Sequence, residues 1–139
     1  MTVTFSSVEV GDEVPTLTKG PVEQIQIVRY AGASGDFNPI HTIPAVAQEA
    51  GLDGTISHGM LVMAFAGQML TDWLGPNALR NFKVRFKGMT IPGDVLTCTG
   101  SVTAKEERDG ENVIEGKVSV KGPDERPRLT GTFVAVLPD

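Results

Sequence analysis

The hydrophobic positions change their spacing near the middle of the chain, which separates a helical half from a strand half. In the first half, apolar residues at spacings of three favour one face of a helix: Val22, Ile25, Val28 and Ala31. This helix is predicted to hold Pro21 in its first turn and to run to about Ala33, before Gly35. The segment 35–41 that follows is predicted to be a loop.

Two further helices are predicted in this half. Pro44 can open a short one that runs through Ala50, with Gly51 in the left-handed position that ends helices. A longer helix is predicted from about Met60 to Trp73, stopped by Gly75 and Pro76. Because it is apolar on nearly all sides, it should be wrapped by other structure. Polar residues interrupt it, and it falls short of the roughly 20 residues that span a bilayer, so no membrane association is expected.

From Asn81 onward the apolar residues alternate with polar ones, which is the period of strands. Phe82, Val84 and Phe86 alternate with Lys83, Arg85 and Lys87, as in a strand with one buried face. Two further inner faces are predicted: Leu96, Cys98, Gly100, Val102 and Ala104, then Ile114, Gly116, Val118 and Val120. A nearly all-apolar strand covers 129–137, and a short strand covers 14–18.

Turn signals separate these strands and predict how they connect. They stand at 92–94 (Pro-Gly-Asp), 109–110 (Asp-Gly) and 122–123 (Gly-Pro). Each favours a tight reversal, so an antiparallel meander is expected. The whole chain, 1–139, is thus predicted to be a single α+β domain in which a curved antiparallel sheet wraps around one central helix.

Composition and charge narrow the function classes. The chain has 139 residues, of which 40% are hydrophobic and 21% charged, as is usual for a globular domain. The net charge of −5 argues against a nucleic-acid partner. Since Cys98 is the only cysteine, no intramolecular disulfide can form, and its position on an inner strand face makes it a core residue. The first residues show neither a basic start nor an apolar run, so a cytoplasmic location is expected.

The first candidate site lies in the segment 30–41. It brings Asp36, Asn38 and His41 into one loop, which Pro39 stiffens. The five-residue gap lets Asp36 and His41 reach a single point, and one water held between a carboxylate and an imidazole is the minimum apparatus for adding or removing water. Asn38 can anchor substrate or hold the catalytic groups through its amide. Asp, Asn and Pro are also ordinary turn and cap residues, so a structural role for them stays open.

The second candidate site is the entry to the long helix, Ser57-His58-Gly59-Met60. Main-chain N–H groups in a first helical turn lack intrahelical partners, so they can stabilise the anionic oxygen of a thioester enolate. Gly59 allows a ligand to approach the backbone closely. The structural alternatives are that Ser57 is an N-cap, that Gly59 saves space, and that His58 is a hydrogen-bonded histidine beside the helix entry.

Other chemistry is less well supported. Asp36, His41 and His58 form a conceivable two-histidine, one-carboxylate metal set, but their spacing fits no tight ligand pattern, so no metal is expected. No nucleotide-binding glycine loop occurs, and no cofactor is predicted. The Lys83, Arg85, Lys87 row is a solvated strand face or, alternatively, a site for the phosphates of a nucleotide-bearing substrate.

The segments 30–41 and 57–61 together resemble the hydratase motif of the MaoC-like, (R)-specific enoyl-CoA hydratase family. Like segments recur at 5–12, 84–86 and 92–94, so the resemblance covers most of the chain. Within the family, the sequence is similar to the catalytic dehydratase subunits of actinobacterial type II fatty-acid elongation. The resemblance implies a hotdog fold.

The resemblance also implies catalytic and binding roles for individual residues. Asp36 and His41 would bind and activate the water, Asn38 would support them, and Ser57 with the Gly59 amide would form the oxyanion and substrate-binding region. Water would add syn across a trans-2-enoyl thioester to give the (R)-3-hydroxyacyl product, or be removed in reverse. The order in which Asp36 and His41 transfer protons is open. The candidate acyl-chain lining comprises Met60, Leu61, Met63 and Ala64 on the central helix.

The implied substrate is a thioester of coenzyme A or of acyl carrier protein. The implied assembly is a homodimer, or a heterodimer with a related hotdog subunit, in which two sheets join edge to edge and cover an exposed strand edge. Two rival functions are an acyl thioesterase, which would not need His41, and a non-catalytic acyl-binding partner subunit, against which the intact Asp36, Asn38 and His41 set argues.

Overall fold

Five strands form one antiparallel sheet in a computed structural model that describes residues 3–139. The strands are β1 (Glu13–Lys19), β2 (Leu79–Phe86), β3 (Leu96–Arg108), β4 (Glu111–Lys121) and β5 (Pro127–Val136). The helices are α1 (Gln24–Ser34), α2 (Pro44–Glu49) and α3 (Gly59–Leu74), and two 3₁₀ turns cover Phe5–Ser7 and Pro39–His41. The predicted α+β architecture, a curved sheet around a central helix, is confirmed.

The central helix is α3, whose 16 residues contact all five strands. It spans about 24 Å at 1.5 Å per residue. Its core-facing residues are Leu61, Val62, Phe65, Ala66, Met69, Leu70 and Leu74. The expectation that α3 is wrapped on nearly all sides is only partly right, because Met60 is 55% exposed and Ala64 is also exposed. One apolar stripe of α3 therefore remains uncovered in a single chain.

The inner face of the sheet follows the predicted alternation in β3, β4 and β5, whereas Phe86, predicted for the buried face of β2, is 49% exposed. Its buried residues include Leu96, Cys98, Val102, Ile114, Val118, Val120, Leu129 and Phe133. Gly116 fits here because a Cβ at this position would overlap the Phe133 ring and lie 2.6 Å from the Ser101 carbonyl oxygen. The sheet thus has one face of buried apolar side chains and one solvent-exposed face of Thr, Ser and Lys.

The strand order corrects the expected meander. The order is β1-β3-β4-β5-β2, so only β3, β4 and β5 follow one another as hairpins. β2 pairs with β5 at one edge, and β1 pairs with β3 at the other edge. The Pro-Gly-Asp turn at 92–94 thus lies in a crossover rather than in a hairpin.

The first helix also departs from its prediction. α1 begins at Gln24, and Pro21 precedes it, joined to Gly20 by a cis peptide bond, so Pro21 is not part of a helical turn. The buried residues of α1 are Ile27 and Ala31, whereas Ile25 is 52% and Val28 43% exposed. The predicted end at Gly35 is confirmed, since this residue adopts a left-handed conformation with φ of +77°.

The short second helix lies close to its predicted position. α2 runs from Pro44 to Glu49, and Gly51 follows with φ of +90°, as the sequence predicts. Across residues 3–139, none of the helices combines the length and apolarity that a bilayer crossing needs.

Candidate active site

The loop after α1 is ordered by its own short polar side chains. The Asp36 main-chain N–H donates to Ser34 Oγ at 3.1 Å, and the Asn38 N–H donates to Asp36 Oδ1 at 3.2 Å. Asn38 Oδ1 in turn accepts from the Ile40 N–H at 3.2 Å and so caps the 3₁₀ turn that carries His41. Asn38 therefore supports the loop from which Asp36 and His41 project.

Asp36 and His41 bring two polar atoms close together without a direct hydrogen bond between them. His41 Nε2 is 3.9 Å from Asp36 Oδ2, too far for a direct hydrogen bond. His41 Nδ1 lies 2.8 Å from the Ile56 carbonyl oxygen, which can only accept, so Nδ1 carries the proton and Nε2 presents its lone pair towards Asp36. The two facing atoms are both acceptors, and a water that bridges them from one side would donate one hydrogen bond to each.

His58 connects the two candidate catalytic residues. Its ring stacks on the His41 ring with 3.8 Å between centroids, and its Nε2 donates to the Asp36 carbonyl oxygen at 3.0 Å. The Tyr30 ring packs edge-on against His58, with 4.9 Å between ring centroids. His58 is only 2% exposed. The sequence alone identified His58 as a hydrogen-bonded histidine beside the helix entry but did not reveal that it fixes both Asp36 and His41.

Two further residues were missed by the sequence analysis. Gln24 Nε2 donates to the His41 carbonyl oxygen at 2.8 Å, and Thr55 Oγ1 donates to Gln24 Oε1 at 2.5 Å. These bonds tie the His41 turn to the first turn of α1. Gln24 and Thr55 lie 17 and 14 positions from His41 in the sequence, with no motif to associate them with it.

The entry of α3 opens beside His41 into a pocket of about 210 Å³. Its lining residues are His41, Ile56, Ser57, Gly59, Val62, Phe86, Gly88, Met89, Thr90 and Arg128. The Gly59 and Met60 N–H groups at the start of α3 lack acceptors within the helix and lie at the positive end of the helix dipole. A Cβ on Gly59 would lie 3.0 Å from the Phe86 ring, so glycine keeps the Phe86 side chain close to this helix entry.

Ser57 is held beside this entry but does not cap the helix. Its N–H donates to the Thr90 carbonyl oxygen at 2.7 Å, and its hydroxyl donates to the His58 carbonyl oxygen at 3.1 Å. The N-cap of α3 is His58, without a side-chain capping bond. The alternative interpretation of Ser57 as an N-cap is therefore wrong, and the side chain belongs to the pocket wall.

The four residues predicted to line an acyl pocket do not line this cavity. Leu61 is 6% exposed and packs into the core. Met60, Met63 and Ala64 lie on the uncovered or half-buried side of α3. The apolar walls of the pocket are instead Val62, Phe86 and Met89.

Asp36, His41 and His58 come close enough to be considered as metal ligands. One potential ligand atom from each lies within 4.8 Å of the others. However, the two imidazole planes are stacked at an angle of 25°, which directs their in-plane lone pairs side by side rather than at one point. A zinc-type ion needs ligand atoms converging at about 2.0–2.1 Å. The stacked geometry is poorly suited to that convergence.

Cys98 has the environment of a core thiol. Its side chain is fully buried, and burial raises the pKa of this thiol to about 11, with nearby Lys19 acting weakly in the opposite direction. The thiolate that a nucleophile requires is therefore disfavoured.

Comparison with known proteins adds family relationships to this geometry. A family model described as "MaoC like domain" matches residues 6–122. Fatty acid synthase subunit beta of Aspergillus oryzae is 38% identical over 108 residues, which cover 66% of this chain and 5% of that protein. The chain thus spans a small fraction of the length of this curated relative.

Solved structures share the fold over nearly the whole chain. An (R)-hydratase from A. caviae involved in PHA biosynthesis is 27% identical, with a TM-score of 0.85 over 95% of this chain and 98% of that one. The ChsH1-ChsH2 complex from Mycobacterium tuberculosis contains a chain that is 25% identical, with a TM-score of 0.80 over 93% of this chain and 98% of that one.

Proposed function

Because the chain belongs to the MaoC-like domain family and has its hotdog fold, we propose that it adds water to trans-2-enoyl thioesters to give (R)-3-hydroxyacyl thioesters, and catalyses the reverse dehydration. The observation that carries the proposal is the pair of acceptor atoms, Asp36 Oδ2 and His41 Nε2, facing each other at 3.9 Å beside a helix N-terminus. This pair can bind and orient one water, and the helix entry can stabilise one oxyanion.

His41 is the group that moves the proton in this proposal. As the water oxygen bonds to C3 of the enoyl chain, the neutral Nε2 takes a proton from the water. The electron pair of the C2=C3 bond moves to the thioester oxygen, and the imidazolium then returns a proton to C2. Because one group serves both steps from one side, the addition is syn, and His41 ends as it began. Asp36 accepts a hydrogen bond from the second hydrogen of the water, which stays on the oxygen as the product hydroxyl, and it stabilises the transient imidazolium.

The negative charge on the thioester oxygen is stabilised at the start of α3. The Gly59 N–H is the donor assigned to it, and Ser57 forms the adjoining wall. Loss of one donor of this kind typically costs 10²–10³ in turnover. The absence of a side chain at Gly59 lets the Phe86 ring pack against the helix entry, and both residues line the pocket.

A second subunit completes the acyl site in this account. Met60, Met63 and Ala64 lie at positions i, i+3 and i+4 of α3 and share one helix face, which a single chain leaves partly uncovered. A dimer partner packed against this face would form a tunnel from the pocket along α3. The complex named ChsH1-ChsH2 contains two different chains, which makes a heterodimer a real alternative to a homodimer. Carrier preference, coenzyme A or acyl carrier protein, and a cytoplasmic location stay predictions.

The proposal is tested with the purified chain and crotonyl-CoA. We expect the enoyl-thioester absorbance to fall without release of free thiol, and we expect Asp36→Asn and His41→Ala each to lower kcat by at least about 10². Asn38→Ala serves as the matched control from the same loop and should lower kcat less, because it removes a cap rather than a group at the water.

Two outcomes would overturn the proposal. Release of free thiol without hydration would assign a thioesterase. Full hydration activity in both variants would remove the catalytic pair from the reaction. Mass measurement of the active species distinguishes the assemblies, since an inactive chain that gains activity only with a second, different subunit would identify an acyl-binding or heterodimeric role.

A further inference from the structure

The outer face of the sheet, on the side away from α3, carries a groove of about 860 Å³ that the proposed reaction does not use. All five strands contribute to it. Its polar lining consists of Glu13, Thr16, Lys83, Arg85, Thr99, Ser101, Lys117, Ser119, Lys121, Thr130 and Thr132. None of these residues lines the pocket beside His41.

The strand register arranges cations and hydroxyl groups in rows across this groove. Thr132 of β5 is paired with Lys83 of β2 on one side and with Lys117 of β4 on the other. In the adjacent row, Thr130 stands between Arg85 and Ser119 in the same way. At about 4.8 Å per strand, Lys83 and Lys117 are about 10 Å apart at their backbones, so their long side chains can converge above Thr132.

The cations in this groove are not neutralised by partners in the chain. Lys83, Arg85, Lys117 and Lys121 take part in none of the ion pairs found among residues 3–139. Glu13 is the one acidic residue in the lining, which therefore holds four positive charges against one negative charge. The chain as a whole has a net charge of −5, so positive charge is concentrated on this surface.

The chemistry of the lining favours a small phosphorylated ligand. Lys and Arg paired with Thr and Ser hydroxyls provide the charge-assisted hydrogen bonds that phosphate oxygens accept. The volume lies within the range of small-molecule sites, about 300–1,000 Å³. Successive residues on one face of a strand are about 6.7 Å apart, so the two rows can each hold one phosphate group.

Macromolecular partners fit this groove less well. Nucleic-acid sites on sheets use aromatic side chains to stack bases, and the lining described here contains none. Protein interfaces need an exposed apolar centre, but the strongly exposed apolar side chains, such as Phe37, Met60 and Met89, lie outside the groove.

We propose that this groove binds a small molecule carrying two or more phosphate groups, at a site separate from the catalytic pocket. The proposal does not depend on the hydratase assignment, since the groove shares no residue with the pocket.

The test uses pyrophosphate as the probe in titration calorimetry with the folded protein. Lys117→Gln should weaken pyrophosphate binding by at least about tenfold, because a hydrogen bond to a charged group is lost. The matched control is Lys105→Gln, which removes the same charge from β3, where Lys105 pairs with Glu9 at 3.3 Å outside the groove. This control should bind pyrophosphate within about twofold of the parent. Hydration of crotonyl-CoA should be unchanged in Lys117→Gln.

Several results would overturn the proposal. Undetectable binding of pyrophosphate to the parent chain would do so, as would equal weakening by the two substitutions, which indicates a general charge effect. Displacement of pyrophosphate by a phosphate-free substrate, the crotonyl thioester of N-acetylcysteamine, would place it in the catalytic pocket. Lys117-dependent binding of a polyglutamate peptide without binding of pyrophosphate would assign the groove to an acidic protein instead.

Discussion

Replacing His58 with phenylalanine is expected to lower turnover while leaving stability nearly unchanged. The substitution keeps an aromatic ring against His41 but removes the hydrogen bond from Nε2 to the Asp36 carbonyl oxygen, a loss of about 0.5–1.5 kcal/mol. The substitution also removes the buried Nδ1, which has no hydrogen-bond partner in residues 3–139. Such an unpaired atom lowers the free energy of unfolding by about 1–3 kcal/mol, so its removal is stabilising. The phenylalanine ring is larger than imidazole, and crowding it into the same space offsets part of this stabilisation. The free energy of unfolding should therefore stay within about 1 kcal/mol of the parent.

The effect on catalysis has a different origin. Without the bond from His58, the Asp36 main chain is held by loop contacts alone, and a displacement of about 1 Å in a reacting geometry costs on the order of 10² in rate. We expect kcat for crotonyl-CoA hydration to fall 10- to 100-fold. Thermal unfolding provides the stability readout, with a change in Tm of no more than about 4 °C.

A second variant separates the hydrogen bond from the ring contact. His58→Gln keeps an N–H donor for the Asp36 carbonyl oxygen but loses the ring that stacks on His41. It should retain more activity than the phenylalanine variant if anchoring Asp36 is the main role. A phenylalanine variant that keeps kcat within twofold of the parent would refute the reasoning, whatever happens to its Tm.

Three further predictions concern single groups. Gly59→Ala should lower kcat/KM about tenfold or more with little change in Tm, because its Cβ must displace the Phe86 ring; unchanged kinetics would contradict this. Gly116→Ala should cost about 3 kcal/mol in denaturant unfolding, since its Cβ overlaps Phe133, and an unchanged midpoint would argue against the packing described. Burial raises the pKa of Cys98 to about 11, so at pH 8 only about one Cys98 side chain in a thousand is a thiolate. Iodoacetamide should therefore alkylate the native chain at least a hundredfold more slowly than the unfolded chain. Similar rates for the two would show an accessible thiolate.

The buried and exposed faces of the strands were predictable because they depend only on the alternation of neighbouring residues. In β3 and β4 the side chains alternate between the two faces, and buried Cys98, Val102, Val118 and Val120 follow from a period of two alone. Which strands become neighbours in the sheet cannot be predicted from the local sequence pattern. The connection between Phe86 and Leu96 contains a good turn sequence, yet β2 and β3 are separated by two other strands in the sheet.

The error in α1 has a geometric cause. Each step of three residues falls about 60° short of a full helical turn, so four residues spaced by three spread over half of the helix surface. Val22 and Ala31 would thus lie on opposite sides of such a helix, and Val22 in fact precedes α1. The residues that do share the buried face, Ile27 and Ala31, are four apart.

The candidate site was predictable only in part for a similar reason. Asp36, Asn38 and His41 stand within one short loop, and residue type and spacing were enough to associate them. The stacking of His58 on His41 joins positions 17 apart, and the Gln24 bond to the His41 carbonyl oxygen joins positions equally far apart. These contacts depend on how α1 and α3 pack, which no local pattern contains.

The most direct test of the central claim is the stereochemistry of hydration in D₂O. In the proposed reaction, the water bound by Asp36 and His41 adds its oxygen to C3, and His41 returns a deuteron to C2 from the same side. Crotonyl-CoA should therefore give (R)-3-hydroxybutyryl-CoA with deuterium at C2 syn to the new hydroxyl group, as read by NMR. Deuterium placed anti to the hydroxyl would contradict a single proton carrier at this site, and an (S) product would contradict the proposed (R) specificity.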